Sequence, residues 1–244
     1  MFEAFLWGLF ATSSLVIGAL VVRLSPPGER MLGAIMAFGA GVLISAVSFE
    51  LVEEAVEVSG GLGGTTLGFF AGAMVFTLGD LGISKLGGRQ HKNLTEEAQE
   101  APPFSIVLGT ILDGVPESAV LGLTILQTGE VGVAMLVAVF VSNLPESIAA
   151  SSSLIVAGWK QSQVFLLWTG IAVVCALSAA AGYALLDGAS PKTLAFMFAF
   201  AGGAILAMLA TTMMPEAYEK ARRWAGISTV FGFGVAFFVN WAAA

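Results

Sequence analysis

Leu112-Asp113-Gly114-Val115-Pro116-Glu117-Ser118 and Val141-Ser142-Asn143-Leu144-Pro145-Glu146-Ser147 are two similar stretches, each set in the middle of a long apolar run. Each puts a proline and an ionisable carboxylate in a segment long enough to cross a bilayer. A charge at that depth costs between about 2.5 and 17 kcal/mol, depending on the reference state. A bound metal cation is the group we expect to offset that cost. Each proline also lacks an N–H, which leaves the carbonyl four residues earlier, at Leu112 and Val141, without its usual partner. Membrane proteins tolerate such gaps where the backbone is buried in protein or lines a cavity.

The rest of the composition agrees with a membrane setting. Of 244 residues, 57% are hydrophobic and only 11% are charged, with a mean hydropathy of +0.90. A soluble domain carries about 25% charged residues, so the chain reads as an all-α integral membrane protein. Thirty glycines suit helices whose backbones pack closely in lipid. A net charge of -7 argues against nucleic acid or anionic lipid as partners and suits a protein that handles cations. Cys175 is the only cysteine, which excludes an intramolecular disulfide and a thiolate cluster. Its apolar surroundings read as a packed core thiol. The start, Met1-Phe2-Glu3-Ala4-Phe5, has no basic n-region, so the first apolar run is expected to be a retained helix.

Taking about 20 apolar residues as one crossing, the pattern predicts eight transmembrane helices in a single domain covering 1–244. They fall at about 3–22, 31–53, 64–84, 104–127, 131–156, 163–186, 192–215 and 224–243. The one long polar connection, 85–103, reads as a cytoplasmic loop and holds His91, which is expected to be solvated. Arg23, Arg30, Lys85, Arg89, Lys92, Lys160, Lys220, Arg222 and Arg223 lie in odd-numbered loops, and only Lys192 lies in an even one. Positive residues mark the cytoplasmic side, so both termini are expected outside.

Two internal matches set the expected architecture. A shift of 162 lays Ala37-Phe38-Gly39-Ala40-Gly41 on Ala199-Phe200-Ala201-Gly202-Gly203, and Glu54-Ala55-Val56-Glu57 on Glu216-Ala217-Tyr218-Glu219. A shift of 29 lays Val115-Pro116-Glu117-Ser118 on Leu144-Pro145-Glu146-Ser147. The second and seventh helices, like the fourth and fifth, would cross in opposite directions. That is a 3+2+3 inverted-repeat bundle, in which a transported substrate sits near the midplane at the repeat interface.

Asp113 and Glu117 are four residues apart and share one helical face, and Asn143 and Glu146 share a face three apart. A twofold axis would bring them together with Ser142 beside them, as a candidate metal site. The competing reading is that these groups are neutral and bind helix to helix. Glu50, Glu53, Glu54 and Glu57 form an acidic stripe at the outer end of the second helix. Glu216 and Glu219, with Asp80 on the third helix, form a counterpart at the inner end. Mouths lined with one sign of charge steer counter-ions, and solvated helix ends are the alternative. Trp159, Trp168, Trp224 and Trp241 fall near predicted helix ends, as interfacial anchors do.

These motifs resemble the ZIP (Zrt-, Irt-like) metal-ion transporters. In that family the fourth helix carries His-Asn-x-Pro-Glu and the fifth His/Gln-Asn/Asp-x-Pro-Glu. Glu117 and Glu146 match the shared glutamates, and Asn143 matches the Asn of the fifth helix. The resemblance implies import of a divalent cation (zinc, iron, manganese or cadmium) across a plasma membrane, by a homodimer that carries no organic cofactor and is not an enzyme. Short loops suggest a prokaryotic source. Asp113, Gly114 and Ser142 depart from the family's ligands. Ala179 and Ala180 stand where the sixth helix would carry Glu-Pro, which implies one metal site at most. Glu50 and Thr212 stand where relatives often have His. An all-oxygen ligand set also suits Mg²⁺, Ca²⁺ or Mn²⁺. A metal sensor or regulatory membrane protein without transport, and an intramembrane hydrolase, are the other classes weighed. Gly79-Asp80 lacks the preceding Gly of Gly-x-Gly-Asp, and no nucleotide-binding motif is present.

Overall fold

A computed structural model describes the chain except residues 26, 60, 61, 86–102 and 244. The polar loop, His91 included, thus lies almost wholly outside the described residues. Among the described residues the chain forms eight long apolar helices: α1 (Phe2–Leu24), α2 (Glu29–Ser59), α3 (Leu62–Lys85), α4 (Pro103–Thr128), α5 (Val133–Val156), α6 (Gln161–Leu186), α7 (Pro191–Ala221) and α8 (Trp224–Ala243). All eight are long and apolar enough to cross a membrane, and no strand occurs among the described residues.

Local chemistry sets the helix ends. Ser190 caps α7 by accepting the Thr193 N–H at 3.2 Å, and Pro191 occupies the first turn, where its missing N–H costs nothing. Gln163 reaches back to the Lys160 N–H at 2.9 Å to start α6. Gly129 stops α4 with φ at 80°, in the left-handed region that glycine enters without strain. Its N–H closes on the Ile125 carbonyl at 3.0 Å. The chain can therefore turn back into α5 within a few residues.

Two helices outrun their expected spans. At 31 residues each, α2 and α7 are about 46 Å long, well over the roughly 30 Å of hydrocarbon. The sequence reading stopped both at their glutamates, but a helix entering water can carry charge at little cost. Each also contains one π-helical turn, Val47–Val52 in α2 and Leu209–Met213 in α7. The two turns start 162 residues apart, the offset that relates the sequences of these helices. A π turn adds a residue to the helix, so it re-aims the side chains beyond it.

Glycine sets the helix contacts. A Cβ on Gly72 of α3 would fall on the Phe200 carbonyl oxygen of α7, and one on Gly203 of α7 would fall on that of Phe69. Between α2 and α8 the same arrangement recurs: a Cβ on Gly41 would meet the Thr229 carbonyl, and one on Gly232 that of Phe38. Elsewhere α1 packs on α5 and α6, α4 on α6, and α2 on α5. Large apolar side chains remain exposed on the outward faces of α3 (Leu67, Phe70, Met74) and α8 (Val230, Phe231, Phe238), as lipid-facing surfaces require.

Trp224 and Trp241 are exposed on α8, as anchors would be, but Trp168 is fully buried. Its indole N–H donates to Ser151 Oγ of α5 at 2.8 Å. The expectation of an interfacial Trp168 is thus corrected. Its ring fills the space between α1, α5 and α6, and an internal hydroxyl replaces the headgroup as its partner.

The carbonyl contacts predict a sharp contrast between glycines. Gly72→Val should lower stability by about 1–3 kcal/mol, because the added carbons meet fixed backbone. Gly170→Ala, with open space around it, should be neutral or stabilising by up to about 1 kcal/mol. Denaturant unfolding in detergent reads both; equal losses would contradict the packing described.

Candidate functional site

The two proline-bearing stretches lie in α4 and α5. Neither helix is broken at its proline: Pro116 and Pro145 both sit inside continuous α-helix. This corrects the expectation of interrupted helices: the helix runs on through each proline, so what the proline opens is one carbonyl, at Leu112 or Val141, and not the helix itself. Ser178 of α6 donates to the Val115 carbonyl at 2.8 Å. Ser147 donates to the Leu144 carbonyl of its own helix at 2.9 Å. Val115 and Leu144 each precede the proline, at positions 29 residues apart. These hydroxyls add a bond to the carbonyl beside each proline, whereas the carbonyls that the prolines free are those of Leu112 and Val141, one turn earlier.

Asp113 and Glu117 are buried on α4, with relative exposures of 7% and 2%. Ser142 and Asn143 are buried on α5, and Glu146 is half-buried. The Glu117 carboxyl shares a hydrogen bond with the Ser142 side chain and lies within electrostatic reach of both Glu146 and Asp113. The structure therefore brings together Asp113, Glu117, Ser142 and Glu146 across the α4–α5 seam. Asn143 adds a carboxamide whose Nδ2 is buried and has no hydrogen-bond partner among the described residues. An unmet buried donor costs about 1–3 kcal/mol. Against the seam lies Gly39 of α2, where a Cβ would come within 3.3 Å of Ser142 Cα.

In this arrangement the carboxylates are neighbours without closing on one point. Among the described residues no three His, Cys, Asp or Glu side chains form a group able to hold a metal ion. Cys175, buried as expected, stands nearer the acidic cluster than its apolar run suggests. A Cβ on Gly114 would lie 3.1 Å from its Sγ, and the thiol neighbours Ser118 and Glu117. The signal was a helix-to-helix contact, which α6 periodicity alone does not carry.

The end residues divide. Glu50 and Glu54 line a cavity of about 300 Å³, with Thr124, Thr128 and Glu130 around them. The Glu54 carboxylate also bonds the Gln127 side chain. Glu53 and Glu57 are exposed on the outer side of the same helix, so the four do not act as one stripe. At the other end Glu216 is buried and pairs with Lys220 at 3.2 Å, a partner the sequence reading did not name. Glu219 is exposed and Asp80 half-buried on α3.

No family model matches the chain, and no curated protein is significantly similar to it.

A buried cluster of like-charged groups is held at the expense of stability. Glu117→Gln should therefore stabilise the metal-free protein by about 1–2 kcal/mol, read as a higher melting temperature in detergent. A drop would mean that Glu117 serves the fold rather than a ligand.

Proposed function

We propose that the chain imports a divalent metal cation of the zinc, iron and manganese class into the cytoplasm, as a diverged ZIP-type transporter. The observation that carries this reading is the meeting of Asp113 and Glu117 on α4 with Ser142 and Glu146 on α5, inside a membrane-spanning bundle. Carboxylates gathered within a membrane span suit a cation that arrives and leaves. A cation at the seam would draw Asp113, Glu117 and Glu146 inward, with Asn143 and Ser142 as oxygen donors. Cadmium or a harder cation fits the same donors.

The architecture read here is a 3+2+3 inverted repeat. Its support is the recurrence of the 162-residue offset in the π turns of α2 and α7, the paired glycine contacts of α3–α7 and α2–α8, and the two prolines 29 residues apart, each inside its helix. Lysine and arginine placement puts both termini outside. Cations gather at Glu50 and Glu54, with Glu53 and Glu57 adding charge outside. They bind at the seam as one group of helices rocks against the other, and they leave past Asp80, Glu216 and Glu219. The membrane potential contributes about 2.3 kcal/mol per charge per 100 mV. A prokaryotic plasma membrane and a homodimer complete the reading.

A second reading, a metal sensor or regulatory protein without transport, is favoured by one observation: no ready-made three-ligand group among the described residues. Flux separates the two. In liposomes loaded with a metal-sensitive dye, the transport reading expects entry of at least one of Zn²⁺, Mn²⁺, Fe²⁺, Cd²⁺, Mg²⁺ and Ca²⁺. Asp113→Ala and Glu146→Ala should each cut that entry by about tenfold or more. Binding without flux would favour the sensor, and unchanged flux in both variants would remove the site.

A further inference from the structure

One wall of the cavity at the Glu50 end is a contact between α2 and α5 that the transport reading does not use. The first N–H groups of any helix lack partners within it and form its positive end. At α5 the N-cap residue is Gly132, which has no side chain to meet them. Glu50 supplies the cap from another helix. Its Oε1 and Oε2 accept the Met135 N–H at 3.2 and 3.1 Å, and the Ala134 N–H bonds the same carboxylate. Ala134 and Met135 are the second and third residues of α5, where an N-cap side chain ordinarily reaches. Room for the carboxylate comes from Gly132 itself, since a Cβ there would stand 2.6 Å from Glu50 Oε2.

Two further features bear on what this contact does. Glu50 belongs to the π turn Val47–Val52, so the element it pins is already an irregular one. Its other side faces the cavity that Glu54 and Glu130 also line, so a cation entering there meets the carboxylate that caps α5. The corresponding place in α7, 162 residues on, is Thr212. That residue offers no carboxylate, and its hydroxyl lies 3.4 Å from that of Thr211. Among the described residues the carboxylate cap is seen at the Glu50 end.

We propose that Glu50 is a latch that holds the outer mouth closed by pinning the π turn of α2 to the N-terminus of α5. A divalent cation arriving in the cavity opens the mouth by taking the carboxylate away from the α5 N–H groups. The direction of opening rests on the transport reading; the contact itself does not.

The test uses the full chain in nanodiscs, with Cys175→Ala and spin labels at Glu57→Cys on α2 and Val133→Cys on α5. Pulsed dipolar spectroscopy then reads the distance across the mouth. Without metal, the parent should give one short separation. Gly132→Val and Glu50→Ala should each move the closed-to-open ratio by about tenfold toward a longer one, the scale of one charge-assisted hydrogen bond. Zn²⁺ or Mg²⁺ should lengthen the separation in the parent and leave Glu50→Ala unchanged. Glu50→Gln, which keeps the side-chain volume, guards against a Gly132→Val variant that fails to fold. Its amide oxygen still accepts one α5 N–H but carries no charge, so it should open the mouth in part without metal and respond less to metal than the parent. Separations that stay short in Glu50→Ala and Glu50→Gln, or a parent that responds to neither cation, would overturn the latch. Because the readout is a distance, parent protein that shows no flux but still opens with cation would retire the transport reading and keep the latch.

Discussion

Carboxylates packed inside a lipid-embedded bundle persist only when hydrogen bonds or counter-charges meet them, and the centre of this protein is arranged around that demand. Glu117 has the Ser142 hydroxyl, and the Asn143 carboxamide is buried on the same helix with a donor still unmet. No lysine or arginine is placed in either proline-bearing stretch to neutralise them. By contrast Glu216, near the end of α7, has a lysine one turn away.

The scaffold around that centre depends on backbone contact rather than side-chain volume. Glycine-to-carbonyl approaches tie α3 to α7 and α2 to α8. In lipid, where apolar burial gives helices little reason to associate, such close approach supplies the packing. Pro116 and Pro145 sit inside continuous helix, and Ser178 and Ser147 bond the carbonyls of Val115 and Leu144 beside them. The acidic seam is therefore carried on two continuous helices. Glu50 joins α2 to the start of α5 through the Met135 N–H.

Much of this was legible in the sequence for simple reasons. A run of apolar residues near the thickness of a bilayer has few other folds open to it, so the eight spans could be read directly. Paired Pro-Glu stretches stand out because proline and charge are both costly there. What escaped notice were contacts between segments distant in the chain. Nothing near Trp168 points to Ser151, and nothing near Cys175 points to Glu117. Gly132, unremarkable as a turn residue, matters because a carboxylate from 82 positions earlier fills its place. The extents of α2 and α7 were missed because glutamates were taken to end the helices, whereas they end only the lipid.

The central claim is that the carboxylates of α4 and α5 share one cation. The most direct measurement is zinc anomalous scattering from crystals of the protein grown in a lipid phase with Zn²⁺. The account predicts a peak at the α4–α5 seam, about 2.0–2.2 Å from oxygens of both Glu117 and Glu146. Zinc bound elsewhere, with these two side chains turned into separate surroundings, would contradict it.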